Sequence, residues 1–148
     1  AGIMNKLFDG YSKWFGPIPQ RNSGALISDR NGKVTTYACI GMADRGELFI
    51  KIGTDVYDGM VVGERNREGD LNINITREKK LTNMRASGSD NTIHLRPPKQ
   101  LSLDQYIEFI AEDELVEITP ENIRLRKMEL NQTKRAAMKK KEKYALKK

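Results

Sequence analysis

The sequence predicts a mixed α+β fold in which short strands outnumber helices. Leu71, Ile73 and Ile75 alternate with polar residues, which is the pattern of a strand with one buried face. Ser102 and Gln105 have the spacing of a capping box, so a helix is predicted to begin there. The chain has 148 residues, a length that suits one domain or one domain with a fragment of another.

The first half of the chain is predicted to form strands around one short helix. Residues 1–15 have the pattern of a strand or sheet edge that ends at a Gly-Pro-Ile-Pro turn. Residues 25–28 predict a buried strand. Apolar residues at helical spacing over 34–42 favour a helix, with Gly46 as the glycine that ends it. Further strands are predicted over residues 48–52, 60–62 and 71–76.

The second half is predicted to hold a long loop over 77–92, two helices and three more strands. One helix spans about 103–114, and its apolar face is predicted to contain Leu103, Tyr106, Ile107 and Ile110. The last helix is Lys-rich and capped by Asn131 or Thr133. It is polar nearly all round, so it should be partly frayed when alone in water. The strands are predicted over 92–96, 115–118 and 123–126.

Positive charge is concentrated in two zones that surround an acidic one. The formal net charge is +6. Residues 1–76 are neutral in sum, 77–98 carry +3, 99–123 carry −6 and 124–148 carry +9. Concentrated cations attract polyanions by releasing condensed counterions. A Lys-rich tail can also act only to keep a protein soluble. A second basic zone inside the folded part favours a nucleic-acid partner instead.

The residue inventory excludes several classes of site. With one cysteine and one histidine the chain cannot form a Cys/His zinc cluster or an internal disulfide. Cys39 is predicted to be a buried, inert thiol, and His94 to lie on the polar face of a strand. The chain lacks a phosphate-binding P-loop and any apolar run long enough to span a bilayer. We therefore expect no catalytic residue, no metal site and no membrane association.

The loop over 77–92 is the strongest candidate site. Its lysines supply point charges for phosphates, and Arg85 can form a bidentate contact with a phosphate or a base edge. Its hydroxyl and amide side chains can bond to ribose and phosphate, and a mobile cationic finger suits structured RNA. The alternative is a surface loop with no partner. The predicted RNA-binding residues of the loop are Lys79, Lys80, Thr82, Asn83, Arg85 and Ser87. A second electrostatic patch is predicted at Arg124, Arg126, Lys134 and Arg135.

Five runs of the sequence carry a family resemblance. They are Arg45–Ile50, Val56–Glu64, Lys79–Gly88, Asp113–Pro120 and Ile123–Lys127. These runs resemble those of the TypA/BipA translational GTPases, which are relatives of elongation factor G. The matches occur in family order and cover residues 3 to about 130. The initial residues Gly2 to Asn5 are similar to a late strand of the fifth domain shared with elongation factor G.

The resemblance implies an antiparallel, barrel-like sheet with a few helices. It divides the chain into a remnant of the fifth domain at 1–20, a C-terminal domain at 21–130 and a basic helix or tail at 131–148. The family's GTPase domain has no counterpart in this sequence, so GTP and Mg²⁺ are expected to bind elsewhere and this chain is not expected to be an enzyme.

The resemblance also implies a function on the bacterial ribosome. It suggests a cytoplasmic, monomeric factor that acts in stress adaptation and large-subunit assembly. Its partners would be ribosomal RNA and a transfer RNA in the A site, with residues 79–88 near the acceptor end of that transfer RNA. The alternative is a protein-interaction module that uses the acidic helix over 103–114.

Overall fold

The structure is a computed structural model that describes residues 7–14, 21–79 and 96–145. The described residues contain eight strands and three helices. In chain order they are β1 (Ala25–Ser28), β2 (Gly32–Lys33), α1 (Thr36–Met42), β3 (Gly46–Leu48), β4 (Asp55–Val56), β5 (Met60–Arg65), β6 (Leu71–Ile73), α2 (Leu103–Phe109), β7 (Glu114–Ile118), β8 (Ile123–Lys127) and α3 (Gln132–Ala145). The predicted α+β class is confirmed.

A six-stranded sheet forms the centre of the domain. Its main path is β6-β1-β5-β8-β7, and β3 also pairs with β5. β1 occupies one edge of β5, whereas β8 and β3 pair with successive parts of its other edge. All pairings are antiparallel except that of β1 with β6, which is parallel. A separate antiparallel pair joins β2 to β4.

The predicted barrel-like closure is wrong for the described residues. Closure requires the two end strands of a sheet to pair with each other, but β6 and β7 remain at opposite ends of the strand order. β6 contacts helix α3 instead. Arg135 of α3 donates to Asn72 of β6, and Lys139 of α3 donates to Asp70, which precedes β6. The sheet is therefore open.

Each face of the sheet carries its own hydrophobic cluster. Leu26, Val62 and Ile73 belong to a cluster that includes Ala38 and Cys39 of α1. Side chains that point to the other face of the sheet, such as those of Ile27 and Val61, belong to a second cluster with Tyr106 of α2. The alternation arises because successive residues of a strand point to opposite faces.

Helix α1 of the first half was predicted correctly, whereas the predictions for Gly46 and for the strand that follows it were wrong. The helix predicted over 34–42 is α1, capped by the Thr35 side chain, which accepts from Ala38 N at 3.2 Å. Gly46 does not end this helix but begins β3. Glycine is required there because a Cβ would clash with the backbone of Glu64 on the neighbouring strand β5. β3 consequently covers 46–48 rather than 48–52.

β6 is also shorter than the predicted strand over 71–76. It ends at Ile73, and the Asn74 side chain then accepts bonds from Thr76 N at 3.1 Å and from Thr76 Oγ1 at 3.0 Å. Such a local side-chain bond competes with the sheet ladder. Ile75 is nevertheless fully buried, as its apolar character predicts.

Helix α2 has the predicted capping box but a different buried face. Ser102 Oγ accepts from Gln105 N, and the Gln105 side chain accepts from Ser102 N. Tyr106 is buried, whereas Leu103 is 39% exposed and Ile107 is 55% exposed. The helix ends at Phe109, short of residue 114, because Ile110 adopts an extended conformation and the chain enters β7.

Residues 7–14 form neither a helix nor a strand, contrary to the predicted strand. Leu7, Phe8, Tyr11 and Trp14 are each at least 79% exposed. A strand needs a neighbour for its backbone groups, and none of the described pairings includes this segment. The predicted strand over 92–96 lies outside the described residues apart from Arg96.

Candidate nucleic-acid interface

Hydrogen bonds hold the described residues that precede and follow 80–95 to the rest of the domain. On the N-terminal side, the Thr35 hydroxyl donates to Arg77 O at 2.5 Å and Thr35 N donates to Ile75 O at 3.2 Å. On the C-terminal side, Lys99 N donates to Leu48 O at 2.8 Å. The chain is thus held at the start of α1 before this segment and at β3 after it.

Exposed cations flank residues 80–95 in the sequence. Arg77 and Lys79 precede the segment, and Arg96 and Lys99 follow it. The Lys99 ammonium lies 3.9 Å from Glu64 and 4.0 Å from Glu47. Such long, solvated ion pairs are weak, so Lys99 remains available to a stronger anion. We call these four side chains the cationic rim.

Two cavities lie on either side of α1. One of about 650 Å³ is lined by Cys39, Leu48 and the stretch 96–99. The other, of about 520 Å³, lies between α1 and the end of β6, and Tyr37, Arg45 and Arg77 line it. Both have volumes typical of small-ligand sites. Sequence reasoning missed them because each depends on residues far apart in the chain.

Of the predicted loop residues, only Lys79 falls within the described part of the chain, where it is exposed. The others, Lys80, Thr82, Asn83, Arg85 and Ser87, lie outside it, as does His94. Their assignment stays a prediction.

Arg124 and Arg126 of the second patch lie on the same strand, β8, and a carboxylate of the neighbouring strand lies beside them. Both are half-buried, and Arg124 is directly opposite Glu117 in the pairing of β7 with β8. The Tyr57 hydroxyl donates to Glu117 at 2.7 Å. Burial and this bond to the carboxylate raise the pKa of Tyr57, while the two arginines oppose the change. The patch therefore presents two cations and one anion.

Lys134 and Arg135 are adjacent in sequence but occupy different environments. Lys134 is exposed in the first turn of α3. Arg135 is only 8% exposed; its guanidinium donates to the Glu129 and Leu130 carbonyls and, at 2.8 Å, to Asn72 Oδ1. Since these acceptors hold its charge inside the domain, Arg135 fits a structural role better than the predicted surface role.

A buried ionic network, which sequence reasoning missed, surrounds Lys127. Its ammonium lies 2.8 Å from Asp70, 2.9 Å from Asp113 and 2.8 Å from Glu114. The Arg21 guanidinium forms a bidentate pair with Glu114, with both distances at 3.0 Å. The partners come from four regions of the chain, so no local pattern marks them. Buried charges need such pairing.

Burial and pairing compete in this network. Burial alone would raise the pKa of the Asp70 carboxyl, but bonds from Lys127, Lys139 and Ala25 N outweigh it and hold this pKa well below its usual range. Burial alone would lower the pKa of Lys127, but the bonds that its ammonium donates to Asp70 and Glu114 reverse that effect and raise it. Both groups are therefore charged near neutral pH.

The remaining candidate groups give no sign of catalysis or metal binding in the described ranges. Cys39 is buried, as predicted, and burial raises the pKa of its thiol. No cluster of three or more His, Cys, Asp or Glu suited to a metal ion occurs among residues 7–14, 21–79 and 96–145. None of the three helices, as far as they are described, has the length and apolar character needed to cross a membrane.

The fold is that of a mixed α+β domain in which exposed cations flank residues 80–95 in the sequence. Residues 23–132 match the model of the TypA/BipA C-terminal domain. This match covers most of the chain, so the chain belongs to the TypA/BipA family, as its sequence motifs suggested.

Curated relatives agree with this assignment. The chain is 43% identical over 145 residues to the large ribosomal subunit assembly factor BipA of Bacillus subtilis. It is 46% identical to the protein of the same name from Salmonella typhimurium and 47% identical to that from Haemophilus influenzae, each over 136 residues. These alignments cover 91–97% of this chain but only 22–24% of the three relatives. The chain therefore spans about a quarter of their length.

Proposed function

We propose that this domain binds the ribosome through RNA and contributes to assembly of the large subunit. The observation that carries the proposal is the cationic rim, in which the exposed side chains of Arg77, Lys79, Arg96 and Lys99 flank residues 80–95 in the sequence. The relatives' name, large ribosomal subunit assembly factor, indicates the partner.

The chemistry of the segment fits a polyanionic partner. Lys80 and Arg85 would add two cations to the rim, and Thr82, Asn83 and Ser87 would supply hydrogen bonds to ribose and phosphate. Arg124, Arg126 and Lys134 form a second contact in this proposal. Arg135 does not belong to that contact, because its charge is already satisfied inside the domain.

We further propose the setting in which this contact is made. The domain docks in the ribosomal A site, with the 79–88 segment near the acceptor end of a transfer RNA. The whole protein is a cytoplasmic GTPase that acts in stress adaptation, and GTP and Mg²⁺ bind outside the sequence printed here. These statements rest on the family resemblance.

The proposal is tested by co-sedimentation of the chain with large ribosomal subunits across a salt series. Changing Lys79, Lys80 and Arg85 together to Ala should weaken association. It should also reduce the slope of log affinity against log salt by about 0.7–0.9 for each phosphate that the variant no longer neutralises. Unchanged association and slope would reject the segment as an RNA contact.

A matched control removes three exposed cations elsewhere. Lys33, Lys140 and Lys141 are exposed, and changing all three to Ala alters the net charge by the same amount. This control should bind nearly as well as the unchanged chain. An equal decrease in both triple variants would mean that net charge, and not the loop, drives association.

The A-site position needs a separate experiment. An Asn83→Cys variant in which Cys39, the one native cysteine, is changed to Ala can carry an iron chelate at position 83 that cleaves nearby RNA. Cleavage should fall in the peptidyl-transferase region and at the acceptor end of a bound transfer RNA. Cleavage confined to other parts of the subunit would contradict the proposed docking.

A second candidate function is a protein contact through α2. Ile107 is 55% exposed beside the exposed acidic residues Asp104 and Glu108, a combination suited to a basic protein. Reversing Glu108 and Glu112 to Lys should abolish binding to such a ribosomal or assembly protein while bare-RNA binding remains. No effect on any ribosomal association would remove this candidate.

A further inference from the structure

The cavity between α1 and β6 has a partly exposed aromatic ring in its wall. Tyr37 lies in the first turn of α1 and is 41% exposed. The Arg77 guanidinium lies over its ring, with Cζ 5.7 Å from the ring centroid. Because the Thr35 hydroxyl binds the Arg77 carbonyl at 2.5 Å, the backbone of Arg77 is fixed to the cap of the helix that carries Tyr37.

Asn74, in the turn that follows β6, supplies a hydrogen-bond donor beside the same cavity. It lines the cavity together with Asn72. The Asn72 side chain bonds to Arg135 of α3 at 2.8 Å and, by the alternation along β6, lies on the face opposite Ile73. Asn74 Oδ1 accepts from Thr76 N and Thr76 Oγ1, and within the described residues its Nδ2 group donates no hydrogen bond to the protein.

Arginines outnumber carboxylates among the residues that line this edge of the sheet. Arg45 lines the cavity with Arg77. It also borders a neighbouring hollow with Arg65 and Arg67, where Asp44 is the one acidic lining residue. Arg45 follows α1, Arg65 ends β5 and Arg67 lies in the turn before β6. Folding therefore collects four arginines around β6 from separate stretches of sequence.

We propose that this cavity is a binding subsite for one unpaired nucleotide of single-stranded RNA, a role that rests on the proposed function. The base stacks on the face of the Tyr37 ring that Arg77 does not cover, the flanking phosphates contact Arg45 and Arg77, and the Asn74 amide donates to an acceptor on the base or the ribose. An aromatic ring combined with cations is the usual means of binding single strands. The volume of about 520 Å³ accommodates a ligand of this size.

The geometry discriminates between single and double strands. A base inside a duplex is already stacked on its neighbours and cannot lie on Tyr37 without being unpaired. The arginines, by contrast, can contact the phosphates of either form. The aromatic contribution should therefore appear with single strands and be absent with duplex RNA.

The test measures binding of the 148-residue chain to a fluorescent oligouridine of about 12 nucleotides, a length within the usual single-strand site size, and to an RNA duplex of equal length. Tyr37→Leu should weaken single-strand binding about 5- to 150-fold, the range found for removal of one stacking ring. The salt slope should not change, because no charge is removed. Duplex binding should be unaffected. Arg45→Gln should weaken both and reduce the single-strand slope by about 0.7.

Tyr37→Phe is the matched control, because it keeps the ring and should keep the affinity. Thermal unfolding checks that the half-exposed position tolerates each change. Equal affinity of the Tyr37→Leu variant and the unchanged chain for the single strand would overturn the subsite. So would an equal decrease with single strand and duplex.

The same variants are also pelleted with large subunits, which separates the two proposals. If the loop triple variant fails to bind the subunits while Tyr37→Leu keeps its oligonucleotide affinity, the subsite is wrong and the proposed function stands. If no form of the chain pellets with subunits while single-strand binding depends on Tyr37, the proposed function is wrong and the subsite is supported.

Discussion

Lys127 and Glu114 form an ion pair at 2.8 Å in which both side chains are almost completely inaccessible, at 1% and 0% exposure. Their α-carbons are directly opposite in the pairing of β8 with β7. Asp70, Asp113 and Arg21 complete the charge balance around them. This network joins the start of the domain, the sheet and, through the Lys139–Asp70 contact, helix α3.

Lys127→Met should strongly destabilise the domain. The change leaves Glu114 and Asp70 without their shared cation, and breaking a buried ion pair from one side costs about 3–5 kcal/mol. The measurement is the free energy of unfolding from urea titration. Lys140→Met, at an exposed position of the same type, should change it by less than about 0.5 kcal/mol. Equal effects at the two positions would mean that the network contributes nothing specific.

The Asp70 carboxyl should make stability depend on acid pH. Its pKa is lowered in the folded chain and has a reference value of 3.8, so its contribution is present above about pH 4. That contribution is lost as the pH falls below this value towards the folded pKa. The groups that face it are Lys127, Lys139, Arg21 and Ala25 N.

Asp70→Asn isolates this effect from the titration of other carboxyl groups. The variant should be less stable near neutral pH, and its free energy of unfolding should fall less than that of the unchanged chain between about pH 5 and pH 3. Parallel pH profiles for the two proteins would contradict the assignment.

Arg135→Gln should release α3 from the domain. The helix has 14 residues, a length that is marginal in water without tertiary contacts. Without the bonds to Glu129, Leu130 and Asn72, the helical circular-dichroism signal should decrease. Lys134→Gln removes the same charge from the neighbouring exposed position and should retain the signal. Identical spectra for both variants would show that Arg135 does not anchor the helix.

Gly46→Ala should destabilise the sheet, because the new methyl group would collide with Glu64 O and lie 3.0 Å from Arg65 Cα. Overpacking against backbone costs about 1–3 kcal/mol. Gly41 lies in α1 with no atom near its missing Cβ, so Gly41→Ala should instead stabilise by about 0.5–1 kcal/mol. Urea titration of both variants tests the sign as well as the size. Equal signs would refute the close approach of β3 to β5.

Glu117→Gln tests whether the second patch contacts RNA. The change removes the anion opposite Arg124 and keeps an acceptor for Tyr57. If Arg124 and Arg126 meet phosphate, affinity for large subunits at low salt should rise a few-fold, and changing both arginines to Gln should lower it. The readout is co-sedimentation. No response to either variant would remove the patch from the interface.

Local sequence was sufficient where neighbouring residues make the decisive contacts. The capping box at Ser102, the buried strand at 25–28 and the paired strands 115–118 and 123–126 were all predicted to within about a residue. The family motifs likewise identified the domain, because they preserve residue type and order. The candidate loop could be proposed from its composition alone.

Sequence patterns failed where the deciding contact came from a distant strand. Gly46 resembles a helix-ending glycine until the backbone of Glu64 is placed beside it. Arg135 resembles a surface cation until the carbonyls of Glu129 and Leu130 and the side chain of Asn72 surround it.

By itself the sequence determined the α+β class, the family and the two zones of positive charge, since these depend on residue type and order along the chain. Only the tertiary structure decided that the sheet stays open among the described residues, which cations are buried in pairs and which face solvent, and that Tyr37 and four arginines meet around β6. Charge and aromaticity belong to single residues, but burial and partnership depend on which distant segments fold against them.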